Sequence, residues 1–232
     1  MEKTSRHLFE FDKSYNKAII GTDEAGRGPG AGGVFAAAVY FPEVTEGLIS
    51  DLAILNDSKK LTSKKRESIY DLILNNSINK IVCVEVEEIE RINILNASLK
   101  AMKLACTDVA ERIGVKDILT LVDGNKLIRG AYPYAQEFVI KGDSKSASIA
   151  GASILAKVTR DRYMEELHEK YPMYNWKKNA GYLTAEHLVA IDKYGLTPYH
   201  RESFLSKHID TNAEPSVEQT ASISGDKQLS LI

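Results

Sequence analysis

The sequence predicts an α/β fold with an antiparallel part at its start. Three observations lead there. Strand-like and helix-like segments interleave along the chain. The first two apolar runs are joined only by a glycine-dense loop, which suits a hairpin pair. At 232 residues the chain is long enough for one sizeable core, or one core with a small appendage.

The elements follow in order. Residues 17–23 read as a short buried strand ending at the acidic pair Asp23-Glu24. The run Val34 to Phe41 is stopped by Pro42; its three alanines are helix-compatible, but its length and its Val and Tyr residues favour a second strand. Residues 62–76 form a helix with Thr62 as N-cap and Ile69, Leu72 and Ile73 on one face. Ile81 to Val86 alternates like a strand, Ile92 to Ile113 is helical, and Ile118 to Val122 is a short apolar strand. Phe138 to Ile140 makes another strand, and Ser144 opens a long helix running to about Lys170. Thr184 caps a last helix that stops near Gly195. From about residue 209 to 232 the chain is rich in Ser, Thr, Glu and Ala and lacks aromatics, so a disordered tail is expected after a domain spanning 1–208.

Composition is that of an ordinary globular protein: 44% hydrophobic, 27% charged, net charge −2. That balance argues against a surface that grips nucleic acid everywhere, but leaves room for a local basic groove. Cys83 and Cys106 are too few for a disulfide framework and sit in apolar stretches, so buried free thiols are expected. Neither a signal peptide nor a membrane span is evident, which makes a cytoplasmic, non-membrane protein the default.

Chemistry points to the acids. Neighbours in a strand face opposite ways, so Asp23 and Glu24 serve one site only if the strand ends there and the backbone turns, as Gly26 and Gly28 permit. Two solvated acids at a strand end would look the same. Asp123 follows the strand 118–122, and Asp143 follows the strand near Val139; ligands collect at such carboxyl ends in α/β sheets. Asp143 also reads as an ordinary N-cap. Four acids at three strand ends would be a hard, oxygen-rich site suited to Mg²⁺ or Mn²⁺. Residues 28–33 match G-x-G-x-x-G, but a strand rather than a helix follows and two acids stand in front, so a nucleotide-cofactor loop is rejected.

Gly21-Thr22-Asp23-Glu24-Ala25-Gly26-Arg27-Gly28-Pro29 resembles the opening signature of the type 2 ribonucleases H, the ribonuclease HII family. Asn56-Asp57-Ser58-Lys59-Lys60-Leu61, Val122-Asp123-Gly124, Lys141-Gly142-Asp143-Ser144-Lys145, the run Ala152 to Val158, Gly181-Tyr182 and His200-Arg201 with Ser203-Phe204 resemble later motifs, in the family's order over about residues 17–205. The resemblance implies a ribonuclease H-like fold, a mixed central sheet flanked by helices with a helical C-terminal part. It implies a monomeric endonuclease that cuts the RNA strand of RNA–DNA hybrids, or at ribonucleotides within duplex DNA, leaving 5′-phosphomonoesters. Asp23, Glu24, Asp123 and Asp143 match the metal-binding quartet. Gly26, Arg27 and Gly28 match the segment that reads the ribose 2′-hydroxyl, and Tyr182 the tyrosine that stacks at the junction. Ser58 and Lys59 fall in a substrate-binding motif, Lys59 as a phosphate contact. The family usually carries a bulky residue and a second proline where this chain has Gly30 and Gly33, which predicts a looser loop.

Lys59, Lys60, Lys64, Lys65 and Arg66 form one basic cluster for holding a duplex, and Lys145, Lys157, Arg160 and Arg162 a second; Lys64 to Arg66 read better as a solvated helix face. Tyr163 reads as core packing, and Trp176 as undecided. The end of the tail, Gln228, Leu229, Leu231 and Ile232 around Ser230, resembles the peptide by which bacterial repair and replication proteins dock on the sliding clamp. Two rival functions remain at this point: a non-catalytic hybrid-binding or clamp-associated module, and another metal nuclease of the same fold.

Overall fold

The computed structural model describes residues 5–57 and 62–206. Ser58, Lys59, the tail from 209 and its terminal peptide therefore lie outside the described residues.

Helix α1 (Arg6–Ser14) leads into strands β1 (Ala18–Ala25) and β2 (Val34–Tyr40). These pair antiparallel with Gly21 opposite Val39 and Ala25 opposite Phe35, as the hairpin reading expected. After α2 (Glu46–Asp51) and a 3₁₀ turn comes α3 (Ser63–Asn76), with the Thr62 hydroxyl accepting from the Lys65 N–H. Then follow β3 (Ile78–Val84), α4 (Val86–Ile92), α5 (Ile94–Ile113), β4 (Ile118–Asp123) and β5 (Ala135–Val139). The C-terminal part is helical: α6 (Ala147–Lys170), α7 (Trp176–Asn179), α8 (Ala185–Tyr194) and α9 (Glu202–Leu205).

The five strands form one mixed sheet in the order β3-β2-β1-β4-β5. β1, β4 and β5 run parallel, and β2 and β3 complete the antiparallel side. Helix α6 covers one face, with Ala37, Val39, Ala150 and Ile154 in its core, and α5 covers the other, with Ala36, Ala38, Met102 and Ala105. The alanine run that looked helix-compatible is thus a central strand, and its small side chains let a helix approach each face.

Several boundaries differ from the sequence reading. β3 starts at Ile78, because it pairs with the whole of β2, and stops before Val86, which begins α4. The single helix expected from Ile92 is broken by Asn93 at φ 66°, whose side chain caps α5. The long helix begins at Ala147, capped not at Ser144 but two residues beyond it by Ser146, whose hydroxyl accepts from the Ile149 N–H. β5 lies at 135–139 rather than 138–140. Cys106 is buried as expected, whereas Cys83 is part-exposed with its thiol donating to Glu85; both are free. Among the described residues no helix is long and apolar enough to cross a membrane.

Candidate active site

Because β1, β4 and β5 are parallel neighbours, their carboxyl ends lie along one edge of the sheet. Thr22 pairs with Val122, so Asp23 and Asp123 follow on adjacent strands at the same level. Asp123 in turn pairs with Val139. Lys141, at φ 55°, turns the chain so that the Gly142 N–H donates to Asp123 Oδ1 at 2.7 Å. Asp143 is buried in that same 3₁₀ turn, and its N-cap reading fails because Ser146 performs the capping.

The turn expected at Asp23-Glu24 comes later. β1 continues to Ala25, with Glu24 paired to Ala36, so the two acids point to opposite faces of the sheet. Asp23 is 4% exposed and faces α6, where the Ser153 hydroxyl donates to it. Glu24 lines a groove of about 140 Å³ with Ser98 and Met102 of α5, Asp123, Asn125 and Lys126, and takes a hydrogen bond from Arg27 at 3.1 Å. The charge of Asp123 acts on both.

Desolvation pushes the Asp23 carboxyl well above the usual carboxylate range, and the charges of Asp123 and Glu24 add to it. Burial also raises Glu24, against the lowering effect of Arg27. Among the described residues no three His, Cys, Asp or Glu side chains are already gathered round one point. Several of their oxygens instead engage Arg27, the Glu24 N–H and the Gly142 N–H. A divalent cation fits this donor set: every candidate donor is a carboxylate oxygen, and the mutual repulsion at Asp23 is the strain such an ion relieves. A roomier cavity of about 420 Å³ lies beneath α1 and contains none of these acids.

Beside the acids the chain leaves β1 through Gly26, at φ 98°. A Cβ there would lie 2.1 Å from Arg160 Nε, and one on Gly28 would lie 3.2 Å from the Tyr182 ring. Tyr182 is 52% exposed, so Gly28 and an accessible aromatic face stand side by side. The loop is not loosened at Gly30 and Gly33: side chains there would press on Leu183 and on the Cys83 thiol, each at 2.6 Å.

The second basic cluster is not all on the surface. Arg160 is buried under the glycine loop, Arg162 pairs with Glu67 at 2.5 Å, Lys157 pairs with Asp161 at 2.5 Å, and Lys145 is exposed and outside these pairs. In the first cluster Lys64 and Lys65 are solvent-exposed, matching the helix-face reading, while Arg66 pairs with Asp161. Trp176 is fully buried, donating to His187, and Tyr163 packs on Phe35. Sequence reasoning missed the part played by Arg160 and Arg201, both fully buried against the loop's carbonyls. Arg201 lay within a recognised motif, but nothing local says that an arginine faces inward.

The chain matches the Ribonuclease HII family over residues 20–207. It is 48% identical over 208 residues to a ribonuclease HII of Fusobacterium nucleatum, covering 89% of this chain and 94% of that one. Among solved structures it is similar to the ribonuclease H2 of Pyrococcus horikoshii (25% identity, TM-score 0.62, 80% of this chain and 92% of that one). The ribonuclease HII of Archaeoglobus fulgidus, solved in complex with PCNA, shares the fold at 21% identity and TM-score 0.65, over 84% of this chain and 98% of that one.

Proposed function

The chain belongs to the ribonuclease HII family and is a ribonuclease H endonuclease that cuts RNA in RNA–DNA hybrids, and from that premise we propose that Asp23, Glu24, Asp123 and Asp143 form its hydrolytic centre. The observation that carries this reading is the adjacency of Asp23 and Asp123 on parallel strands, with the Asp23 carboxyl held well above its ordinary range by burial first and by the charges of Asp123 and Glu24 besides. Acids are not kept in such mutual repulsion for stability; clusters of this kind mark sites of chemistry.

The family depends on a divalent metal. The four carboxylates would hold it, and an all-oxygen set suits Mg²⁺ or Mn²⁺. Such ions, when bound, neutralise phosphate charge and make a water nucleophilic. The protein's own share is orientation. The Gly142 N–H fixes the rotamer of Asp123, Ser153 and the Glu24 N–H fix Asp23, and Arg27 holds Glu24 toward the groove. The backbone of Gly26, Arg27 and Gly28 approaches the ribose closely enough to test for the 2′-hydroxyl, the group that separates RNA from DNA. Tyr182 stacks at the RNA–DNA junction. Ser58 and Lys59 contact the strand's backbone. The substrates so read are hybrids and duplex DNA holding a ribonucleotide, handled by a domain of residues 1–208. Changing Asp123→Asn should lower cleavage by about a thousandfold or more while duplex binding persists; cleavage within tenfold of wild type would remove Asp123 from the centre.

The C-terminal residues Gln228, Leu229, Leu231 and Ile232 are proposed to dock on the sliding clamp, tethered by the tail from 209. The archaeal relative solved with PCNA favours a clamp partner in this fold. A chain ending at Gly225 should lose clamp binding and keep its cleavage of free duplex; equal clamp affinity with and without the peptide would contradict this.

A further inference from the structure

Five of the eight residues from Gly26 to Gly33 are glycine, so this segment has little side-chain packing with which to hold its own shape. Two guanidinium groups do it instead. Arg201 donates from Nε to the Gly32 carbonyl (2.9 Å), from Nη1 to Pro29 (2.8 Å) and Arg27 (3.4 Å), and from Nη2 to Gly32 (2.6 Å) and Gly33 (3.1 Å). Arg160 donates to Gly33 (3.3 Å), Ala31 (3.1 Å) and Ala180 (3.1 Å).

Both arginines are fully buried, and neither belongs to an ion pair among the described residues. Burial and the nearby Arg160 cation pull Arg201 down to about 9. Two buried like charges whose direct hydrogen-bond partners are carbonyls, with no carboxylate in contact, are a costly way to stabilise a fold. The arrangement does have one geometric product. In a trans peptide the N–H points opposite to the C=O. With the Arg27 and Pro29 carbonyls drawn in toward Arg201, the N–H groups of Gly28 and Gly30 are turned away from Arg201. The Gly30 N–H meets the Gly181 carbonyl at 2.9 Å, which seats Tyr182, and the same peptide geometry turns the Gly28 N–H away from Arg201 at an exposed residue beside the Tyr182 ring.

Arg201 is itself delivered by a strap. Gly32 N–H donates to the Tyr199 carbonyl and Arg201 N–H to the Gly30 carbonyl, each at 2.8 Å, and Ala31 bridges to His200. Past Arg201, the Ser203 N–H and hydroxyl both bond to Glu90 of α4, at 3.1 and 2.9 Å.

We propose that Arg201, seconded by Arg160, is a positioning residue that fixes the Arg27–Gly28 peptide and thereby sets the preference for ribose over deoxyribose. This rests on the reading of Gly26 to Gly28 as the ribose-sensing backbone. Lysine keeps the charge but cannot span four carbonyls with a planar fork, so Arg201→Lys is the informative change.

The experiment uses the full chain with Mn²⁺ and a DNA duplex holding one ribonucleotide, with the otherwise identical all-DNA duplex as competitive inhibitor. The ratio of the inhibitor's Ki to the substrate's KM reports ribose preference in binding. For Arg201→Lys we expect kcat/KM to fall at least about tenfold and that ratio to collapse toward one, with Mn²⁺ affinity by calorimetry within about twofold of wild type. A folded Arg201→Lys protein with the wild-type ratio overturns the role of Arg201 alone. A wild-type ratio near one overturns the ribose-sensing reading, and this inference with it. Should Arg201→Lys fail to fold, Glu90→Ala, a solvent-exposed change that frees the strap, is expected to lower the ratio about threefold; an unchanged ratio there overturns the proposal.

Discussion

Replacing Asp23 with asparagine should abolish catalysis and yet stabilise the protein. The carboxyl is 4% exposed, and desolvation, Asp123 and Glu24 all disfavour its charge. At the roughly 5 Å spacing of neighbouring strands, a like-charge pair costs about 3 kcal/mol at an effective dielectric of about 20. Relaxation and water reduce that, leaving a relief of about 1–3 kcal/mol for Asp23→Asn. Asparagine keeps the shape and the oxygen that accepts from the Glu24 N–H at 2.8 Å. At about 2–4 °C per kcal/mol for a chain of this size, the Tm should rise by about 2–12 °C at pH 8 in EDTA. The pH dependence fixes the cause. The folded-state pKa lies above the ordinary 3.8, so the penalty is absent below 3.8, grows as pH rises, and is complete above the folded value. The gain should therefore be absent near pH 4 and grow as pH rises to 8. Adding Mn²⁺ should raise the Tm of wild type more than that of the variant. Thermal melts over these conditions test all three statements, and an unchanged or lower Tm for the variant at pH 8 in EDTA would refute the reasoning.

Gly26→Ala places a Cβ on Arg160 at a φ of 98°. It should cost about 2–4 kcal/mol in urea unfolding and most of the activity; a stable, active variant would contradict the packing. His187 Nε2 receives both the Trp176 indole N–H (3.0 Å) and the His200 ring (3.2 Å), so the pair is built for neutral rings. Burial lowers both, His200 to about 4 with His187 contributing. That contribution to stability is whole above pH 6.5 and is lost as pH falls toward 4. Wild type should lose more urea resistance than His200→Gln between pH 7 and 5, and parallel pH profiles would contradict the arrangement.

Period and punctuation made much of the fold legible: the β1–β2 hairpin, the Thr62 and Thr184 caps and the apolar strand before Asp123 all stand where alternation and capping residues place them. What failed depended on partners distant in sequence. β3 is as long as it is because β2 is there to pair with, and α1 forms because Leu8 and Phe9 dock under α2 and α6. Asp23, Glu24 and Asp123 were readable as strand-end acids, but not that β1 runs on past them and presents the first two to opposite faces. Arg160 looked like a surface cation because charge in a sequence carries no sign of burial. Its carbonyl partners are 20 to 129 residues away.

The most direct test is cleavage by the wild-type chain, with Mg²⁺ and then Mn²⁺, of three duplexes of one sequence: all-DNA, DNA holding one ribonucleotide, and an RNA–DNA hybrid. Cutting of the hybrid and of the ribonucleotide strand, with the all-DNA duplex intact, is the expected result. Absence of cutting in all three, or equal cutting of the all-DNA duplex, would contradict the assignment of a ribose-reading nuclease to this chain.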